Sequence, residues 1–357
     1  MKDLLFILWA SHKFGGLERR YLRLANTLSK KNDVKVTIIC QRRCYANALR
    51  YIDGGSLNIF DMETSALMDK VPYKLFRLFE IFWFLKFVKK SSATYIISCS
   101  RPGIFTALIA AASGPRKFFI APNAALFSDL PLTFFDTFGI NATLMQKPTI
   151  DHLSEEPANV LKYLSPKYFN KCKNRIAPVS FTDYSKVKNF ETRDIDILML
   201  ARFVQGKGYE LLEEIDSFLE NFNVHCCGFG EMRVKIPSAR VYQTDDPFAI
   251  CARAKVFLSI QKSNNYPSQS LIEAMASGCA VIATDVGETH KLVTPDRGWL
   301  IPYDADKLTE AILHALQNPI QCEILGQRAQ SFVSKNFTVE KYSNYFIDEV
   351  LDGCHQC

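Results

Sequence analysis

The chain has 357 residues, 48% of them apolar and 22% charged, with a net charge of +6. That length suits two domains of about 150–180 residues better than one, and no apolar run approaches the roughly 20 residues that span a bilayer. The 11 cysteines, an odd number scattered through apolar segments, fit reduced, buried thiols better than a disulfide framework.

The charge is unevenly divided. Residues 1–178 hold 26 Lys and Arg against 13 Asp and Glu, a net of +13; residues 179–357 hold 17 against 24, a net of −7, and together these give +6. A basic half joined to an acidic half points the first half at something anionic, either nucleic acid or a membrane surface. The sequence holds no nucleic-acid-binding motif and no basic–aromatic strand set, so no nucleic-acid partner is expected.

In chain order, Leu4–Ala10 is a short apolar run preceded by Asp3 and followed by His12 and Lys13. With no small-residue cleavage site after it, it reads as a first buried strand rather than a secretory segment, and the expected location is the cytosol. The loop "SHKFGG" follows, then a helix from about Leu17 to Lys30 and a strand at Val34–Cys40. Strand–helix–strand order is the signature of a parallel sheet. The segment "PYKLFRLFEIFWFLKFVKK", residues 72–90, holds five Phe, one Trp, one Tyr and five cations against one Glu. It suits a helix lying on an anionic membrane; the competing expectation is a helix buried in the first domain. Ala93–Ser98 and Lys117–Ala121 read as strands, with a helix between them ending at Gly114. From Asn123 to Lys173 the pattern is less regular.

A linker is expected near Pro178, in "RIAPVSFTDYSKVKNFETRD", which divides the chain into residues 1–178 and 179–337. The second half repeats the scheme. Strands are expected in "DIDILMLAR" and "FNVHCCGFG", near Val241, at Val256–Ile260 and at Cys279–Thr284. Helices are expected in "GYELLEEIDSFLEN", at Pro247–Ala254 and Gln269–Ser277, and in the capped "DADKLTEAILHALQN". The fold class is therefore α/β, two Rossmann-like parallel-sheet domains facing a cleft, with chemistry in the loops after the strands.

Three such loops have the right residues. Gly15-Gly16 opens the first long helix and would let backbone N–H groups approach a phosphate or a sugar; a ligand-free tight turn explains the pair equally well. "ARFVQGKGYELL" puts Arg202 and Lys207 between a strand and a helix, where two cations can neutralise a diphosphate. "YPSQSLIEAMASG" places Pro267 and the N-cap Ser268 before a helix whose first N–H groups, at Ser268, Gln269, Ser270 and Leu271, form an anion site. Glu273 lies close behind, where a carboxylate can accept hydrogen bonds from vicinal hydroxyls or merely compensate the helix dipole. Asp194-x-Asp196 imitates a metal-binding pair but stands at the start of a strand, on the wrong edge. Cys354 and Cys357, with only His355 nearby, read as a frayed tail rather than a zinc site.

"SLIEAMASGCAVIATDVGETHKLV" resembles the nucleotide-sugar signature of group 1 (family 4-like) retaining glycosyltransferases of the two-domain GT-B fold. "LARFVQGKG" resembles their Arg…Lys-Gly diphosphate loop, and "FGGLERRYLRLANTLSK" their Gly-Gly loop and following helix. "FTVEKYSNYFIDEVL" resembles the C-terminal helix that crosses back to the first domain, here 338–352. The resemblance implies a nucleoside-diphosphate-sugar donor held mainly by the second domain. Arg202 and Lys207 would hold its diphosphate and Glu273 its ribose, assisted by the amides of Ser270 and Leu271. It implies transfer with retention, no metal and no other cofactor. The family often carries a second Glu eight residues before the one matched by Glu273; Asn265 stands there, preceded by Asn264. No family-type histidine is evident in the first domain, although His12 lies beside the Gly-Gly loop. Joined to the basic first half, the resemblance implies a bacterial enzyme at the cytosolic face of the inner membrane, extending a lipid-linked, lipopolysaccharide, O-antigen or capsule-type glycan. A sugar-nucleotide epimerase of the same fold, or a non-catalytic protein that only binds a nucleotide sugar, are the alternatives.

Overall fold

The structure is a computed structural model that describes residues 1–9, 16–50, 52, 57–62, 73–121, 132–178, 182, 184–188, 192–244 and 246–352. Gly15, His12, Cys354 and Cys357 lie outside the described residues. The chain divides into two compact units, Met1–Val179 with Val339–Cys357, and Ser180–Thr338.

The first unit alternates strand and helix throughout. It runs β1 (Lys2–Leu8), α1 (Gly16–Ser29), β2 (Val34–Cys40), α2 (Arg42–Leu49), β3 (Leu57–Phe60), α3 (Tyr73–Lys90) and β4 (Tyr95–Ser98). It continues with α4 (Ile104–Ser113), β5 (Lys117–Ile120), α5 (Phe134–Met145), β6 (Thr149–His152), α6 (Glu155–Leu164), α7 (Pro166–Phe169) and β7 (Lys173–Ile176). The seven strands form one parallel sheet in the order β3-β2-β1-β4-β5-β6-β7. An interior strand, β1, is buried from Leu4 to Leu8, as a strand covered on both faces must be. Leu5, Ile7, Phe84, Val88, Ile96 and Ile109 pack into one core between the sheet, α3 and α4.

The segment less regular in sequence holds α5, β6, α6 and α7. Its strand is four residues long, too short for a period-2 pattern to declare itself. The helix α5 carries a capping box at its start: Asp136 N–H donates to Thr133 Oγ1 at 3.2 Å and Thr133 N–H donates to Asp136 Oδ2 at 3.0 Å.

The expectation of a helix buried in the first domain is met along one face of α3 only. One face is buried at Glu80, Phe84 and Val88. The opposite face is exposed at Leu75, Leu78, Phe79, Phe82, Lys86, Lys89 and Lys90, the spacing of a single helical stripe. Glu80 is tolerated inside because Gln41 Nε2 donates to it at 3.3 Å and the Arg42 N–H, first in α2, at 3.1 Å.

The second unit runs β8 (Ile195–Leu200), α8 (Tyr209–Glu214), α9 (Asp216–Leu219), β9 (Val224–Cys227), β10 (Ala239–Tyr242), α10 (Pro247–Ala252) and β11 (Ala254–Ser259). It continues with α11 (Gln269–Ala276), β12 (Ala280–Thr284), β13 (Trp299–Ile301), α12 (Ala305–Gln317) and α13 (Pro319–Asn336). The parallel sheet has the order β10-β9-β8-β11-β12-β13. The expected single helix after β8 is split, because Ile215 turns into the core while Ser238 N–H and Oγ hold the Asp216 carboxylate. The sequence pattern does not predict the long α13. Its buried stripe of Leu325, Ala329 and Val333 is too narrow to stand out in sequence.

The chain then returns to the first unit as α14 (Val339–Tyr345) and a π-helical stretch, Phe346–Asp352. Tyr345 Oη donates to Asp151 Oδ1 on β6 at 3.1 Å, Arg175 Nη1 on β7 donates to the Glu349 carbonyl at 2.5 Å, and Tyr95 Oη on β4 donates to the Leu351 carbonyl at 3.1 Å. No described helix is long and apolar enough to cross a membrane.

Candidate functional site

In the second sheet, β8 and β11 are neighbours, but β8 leads to β9 on one side and β11 to β12 on the other. A parallel sheet is open to ligands where the strand order reverses, at the carboxyl ends of its strands. The loop after β8 carries Arg202 and Lys207, and the loop after β11 carries Asn265 and leads into α11. Both candidate segments of the second half thus meet at the switch point.

The two loops are joined by backbone. Lys262 N–H donates to the Gly206 carbonyl at 2.9 Å. Gly208 is the hinge of this junction: its φ is +100°, and a Cβ there would stand 2.0 Å from the Ile260 carbonyl oxygen. Only glycine permits both. Lys207 is thereby turned toward the β11 loop, its Nζ 3.5 Å from Gln261 Oε1. Arg202 is exposed at the other end of the loop, next to the buried Phe203.

At α11 the first intrahelical bond runs from Ile272 N–H to the Ser268 carbonyl at 3.1 Å. The N–H groups of Gln269, Ser270 and Leu271 precede it and have no acceptor within the helix. Ser268 is the N-cap residue, but its side chain makes no capping bond; its Oγ lies 3.4 Å from Ser270 Oγ. Glu273 is the fifth residue of α11, just past its first turn, and only 5% exposed. Gln269 Nε2 donates to Glu273 Oε1 at 3.1 Å, an i, i+4 pair that aims the carboxylate back toward the helix start.

Asn265 is half-buried in the β11 loop, whose turn is set by Tyr266 N–H donating to Asn264 Oδ1 at 2.9 Å. Sequence reading missed two neighbours. Gln261 meets Lys207, and its carbonyl accepts from Thr284 Oγ1 at 2.6 Å. Glu288, after β12, is 8% exposed and paired with Lys291 at 2.5 Å. Gly287, with φ +55°, brings this third loop against Asn264, whose Cγ would be 2.2 Å from a Cβ at that glycine. Burial, with the Glu288 charge nearby, pushes the Tyr266 phenol up to about 12. The sequence signal for Glu288 is a Gly-Glu pair just beyond a strand end, the same kind of position as the Arg202–Lys207 and Asn265 loops.

Gly16 begins α1 in the first unit. Asp194 and Asp196 lie at the opening of β8, the opposite end from Arg202, and each faces a cation: Arg253 holds Asp194, and Lys255 holds Asp196 at 2.7 Å. The Arg253 hydrogen bond takes the Asp194 carboxyl down to about 2. Among the described residues no group of three or more His, Cys, Asp or Glu could hold a metal ion.

Residues 207–348 match the family described as "Glycosyl transferase-like". No curated protein sequence matches the chain. Among solved structures, a glycosyltransferase from Rickettsia africae is similar over 100% of this chain and 99% of its own, at 15% identity and a TM-score of 0.74. HepE of Anabaena, crystallised with UDP-glucose, is similar over 99% of this chain and all of its own, at 13% identity and a TM-score of 0.75. The lipopolysaccharide outer core galactosyltransferase WaaB is similar over 98% and 99%, at 15% identity and a TM-score of 0.65. The resemblance to GT-B glycosyltransferases is borne out: the two parallel-sheet α/β units have the fold of those enzymes, and the second carries most of a glycosyl transferase-like match.

Proposed function

We propose, on the premise that this is a glycosyl transferase-like chain with the GT-B fold, that it moves a hexosyl group from a nucleoside-diphosphate sugar to a glycan acceptor with retention and without a metal. The observation that carries the reading is the convergence at one switch point of a Lys207 loop, a helix N-terminus and a buried carboxylate, Glu273. These supply what such a donor needs. Arg202 and Lys207 offset diphosphate charge, the α11 amides add hydrogen bonds and a dipole, and Glu273 accepts from ribose hydroxyls. As the sugar departs, charge grows on the diphosphate, and donors fixed beforehand stabilise it without reorganising. Asn265 contributes a neutral amide toward the sugar. UDP is the first nucleotide to test, because HepE was crystallised with UDP-glucose. The acceptor is proposed to be lipid-linked or of lipopolysaccharide or capsule type, met at the cytosolic face of a membrane that the basic first domain touches. Support for this comes from the +13 charge of residues 1–178 and the likeness to WaaB.

Thermal shift against UDP-, GDP- and other nucleotide sugars tests donor binding, with about 2.7 kcal/mol of stabilisation expected at 100 times Kd. Glu273→Ala, which removes an ionised acceptor, should weaken the binding donor about 100-fold while the apo melting temperature stays within a few degrees. Undiminished binding would sink the site assignment. Product analysis with and without acceptor separates transfer from epimerisation, and binding without turnover across an acceptor panel would leave a nucleotide-sugar-binding protein.

A further inference from the structure

The exposed face of α3 does not stand alone. α3 packs on α4 and α4 on α5, along one layer of the first sheet. Each helix turns apolar residues inward: Phe84 and Val88 of α3, Ile109 of α4, Ile140 and Leu144 of α5. Each also leaves large apolar residues outward. On α3 these are Leu75, Leu78, Phe79 and Phe82, the last 69% exposed; on α4, Ile104 and Leu108. On α5, Phe134, Phe135 and Phe138 are 78%, 68% and 57% exposed. Scattered exposed apolar residues are ordinary, but an aromatic set on three adjacent helices is the kind of patch that marks a docking surface.

Charge selects the occupant. The outward stripe of α3 continues from Phe82 into Lys86, Lys89 and Lys90. The only acids in residues 73–121 and 132–147 are Glu80, buried against α2, and Asp136, which faces Arg101 at 3.6 Å. A protein partner would be met by apolar surface alone. Phenylalanines beside a row of lysines match instead a surface with an apolar interior under anionic headgroups.

We propose that the outer face of α3, α4 and α5 is a membrane-docking surface for anionic phospholipid, with Phe82, Phe134 and Phe138 entering the interface and Lys86, Lys89 and Lys90 on the headgroups. This rests on the reading that the acceptor is membrane-borne and gives that reading a location on the fold.

The test is flotation of the full-length protein with phosphatidylcholine vesicles, with and without phosphatidylglycerol. The protein should float with the anionic vesicles at low salt and less so at high salt. The triple variant Phe82→Ser, Phe134→Ser, Phe138→Ser should lower that partitioning by about tenfold or more, and Lys86→Glu, Lys89→Glu, Lys90→Glu should remove the preference for phosphatidylglycerol. Because all six side chains point outward, both variants should keep the parent's melting temperature and its shift with UDP-glucose. Flotation of the aromatic variant equal to the parent's overturns the proposal. So does equal binding to neutral and anionic vesicles, or a concentration-dependent dimer that the aromatic substitutions abolish, which would make the face a contact between two copies. If vesicles are bound but no nucleotide sugar is, the donor reading fails and the surface stands.

Discussion

A carboxylate only 5% exposed among Leu271, Ile272, Ala274 and Met275 costs free energy unless something holds it. Gln269 supplies part of that, and a bound donor would supply more. By the resemblance to retaining glycosyltransferases, Asn265 stands where a second Glu is expected. An amide keeps hydrogen bonding but not charge, so Asn265→Ala should raise KM for the donor about fivefold, at about 1 kcal/mol for a neutral hydrogen bond, with a smaller effect on kcat; steady-state kinetics distinguishes these. Gly208 is a sharper case. At φ +100° and against the Ile260 carbonyl, Gly208→Ala should cost at least about 1–3 kcal/mol from backbone strain alone. The displaced Lys207 should also weaken donor binding, so denaturation and titration should move together.

At the scale of elements, the C-terminal helix is held to the first sheet by a buried polar network. Asp151 and Arg175 are 6% and 11% exposed and 2.7 Å apart, and Tyr345 adds to Asp151. Asp151→Ala leaves Arg175 buried without its counter-charge and should cost about 3–5 kcal/mol. Adding Arg175→Met should recover part of that, as a double-mutant cycle of urea unfolding would read. Glu80 links α3 to α2 and makes a pH prediction. Burial raises its carboxyl above the ordinary range, against the lowering effect of the Arg42 and Gln41 donors. The folded state therefore binds this proton more tightly than the unfolded state. The resulting stability is complete below the unfolded pKa of about 4.3 and is lost as pH rises through the raised folded value. Glu80→Gln should flatten that part of the profile, measured as the denaturation midpoint against pH.

For the whole molecule, the two units have separate cores. That of the second gathers Ile197, Met199, Val256, Leu258, Ile282 and Ile312 entirely within Ser180–Thr338. The segment 180–338 expressed alone should unfold in one transition and keep the stabilisation by UDP-glucose, since every proposed donor residue except Gly15 and Gly16 lies in it. A fragment that is unfolded, as seen by circular dichroism, would show that the second unit needs the first.

Much of this was already written in the sequence. Strand–helix alternation dictates two parallel sheets, because each apolar run is flanked by an amphipathic segment and the two periods differ. Glycines, cations and a helix start after strand ends mark the candidate loops for the same local reason. The chain could not declare what depends on neighbours far away in sequence. Glu288 and Gln261 become part of the site only because β11 and β12 pair side by side and Gly287 admits Asn264. The lysines of 86–90 look unsorted in sequence, and only the burial of Glu80, Phe84 and Val88 fixes which face of α3 they share with Phe82. Local periodicity is set by the backbone's own geometry, while the choice of inward face belongs to whatever the helix packs against.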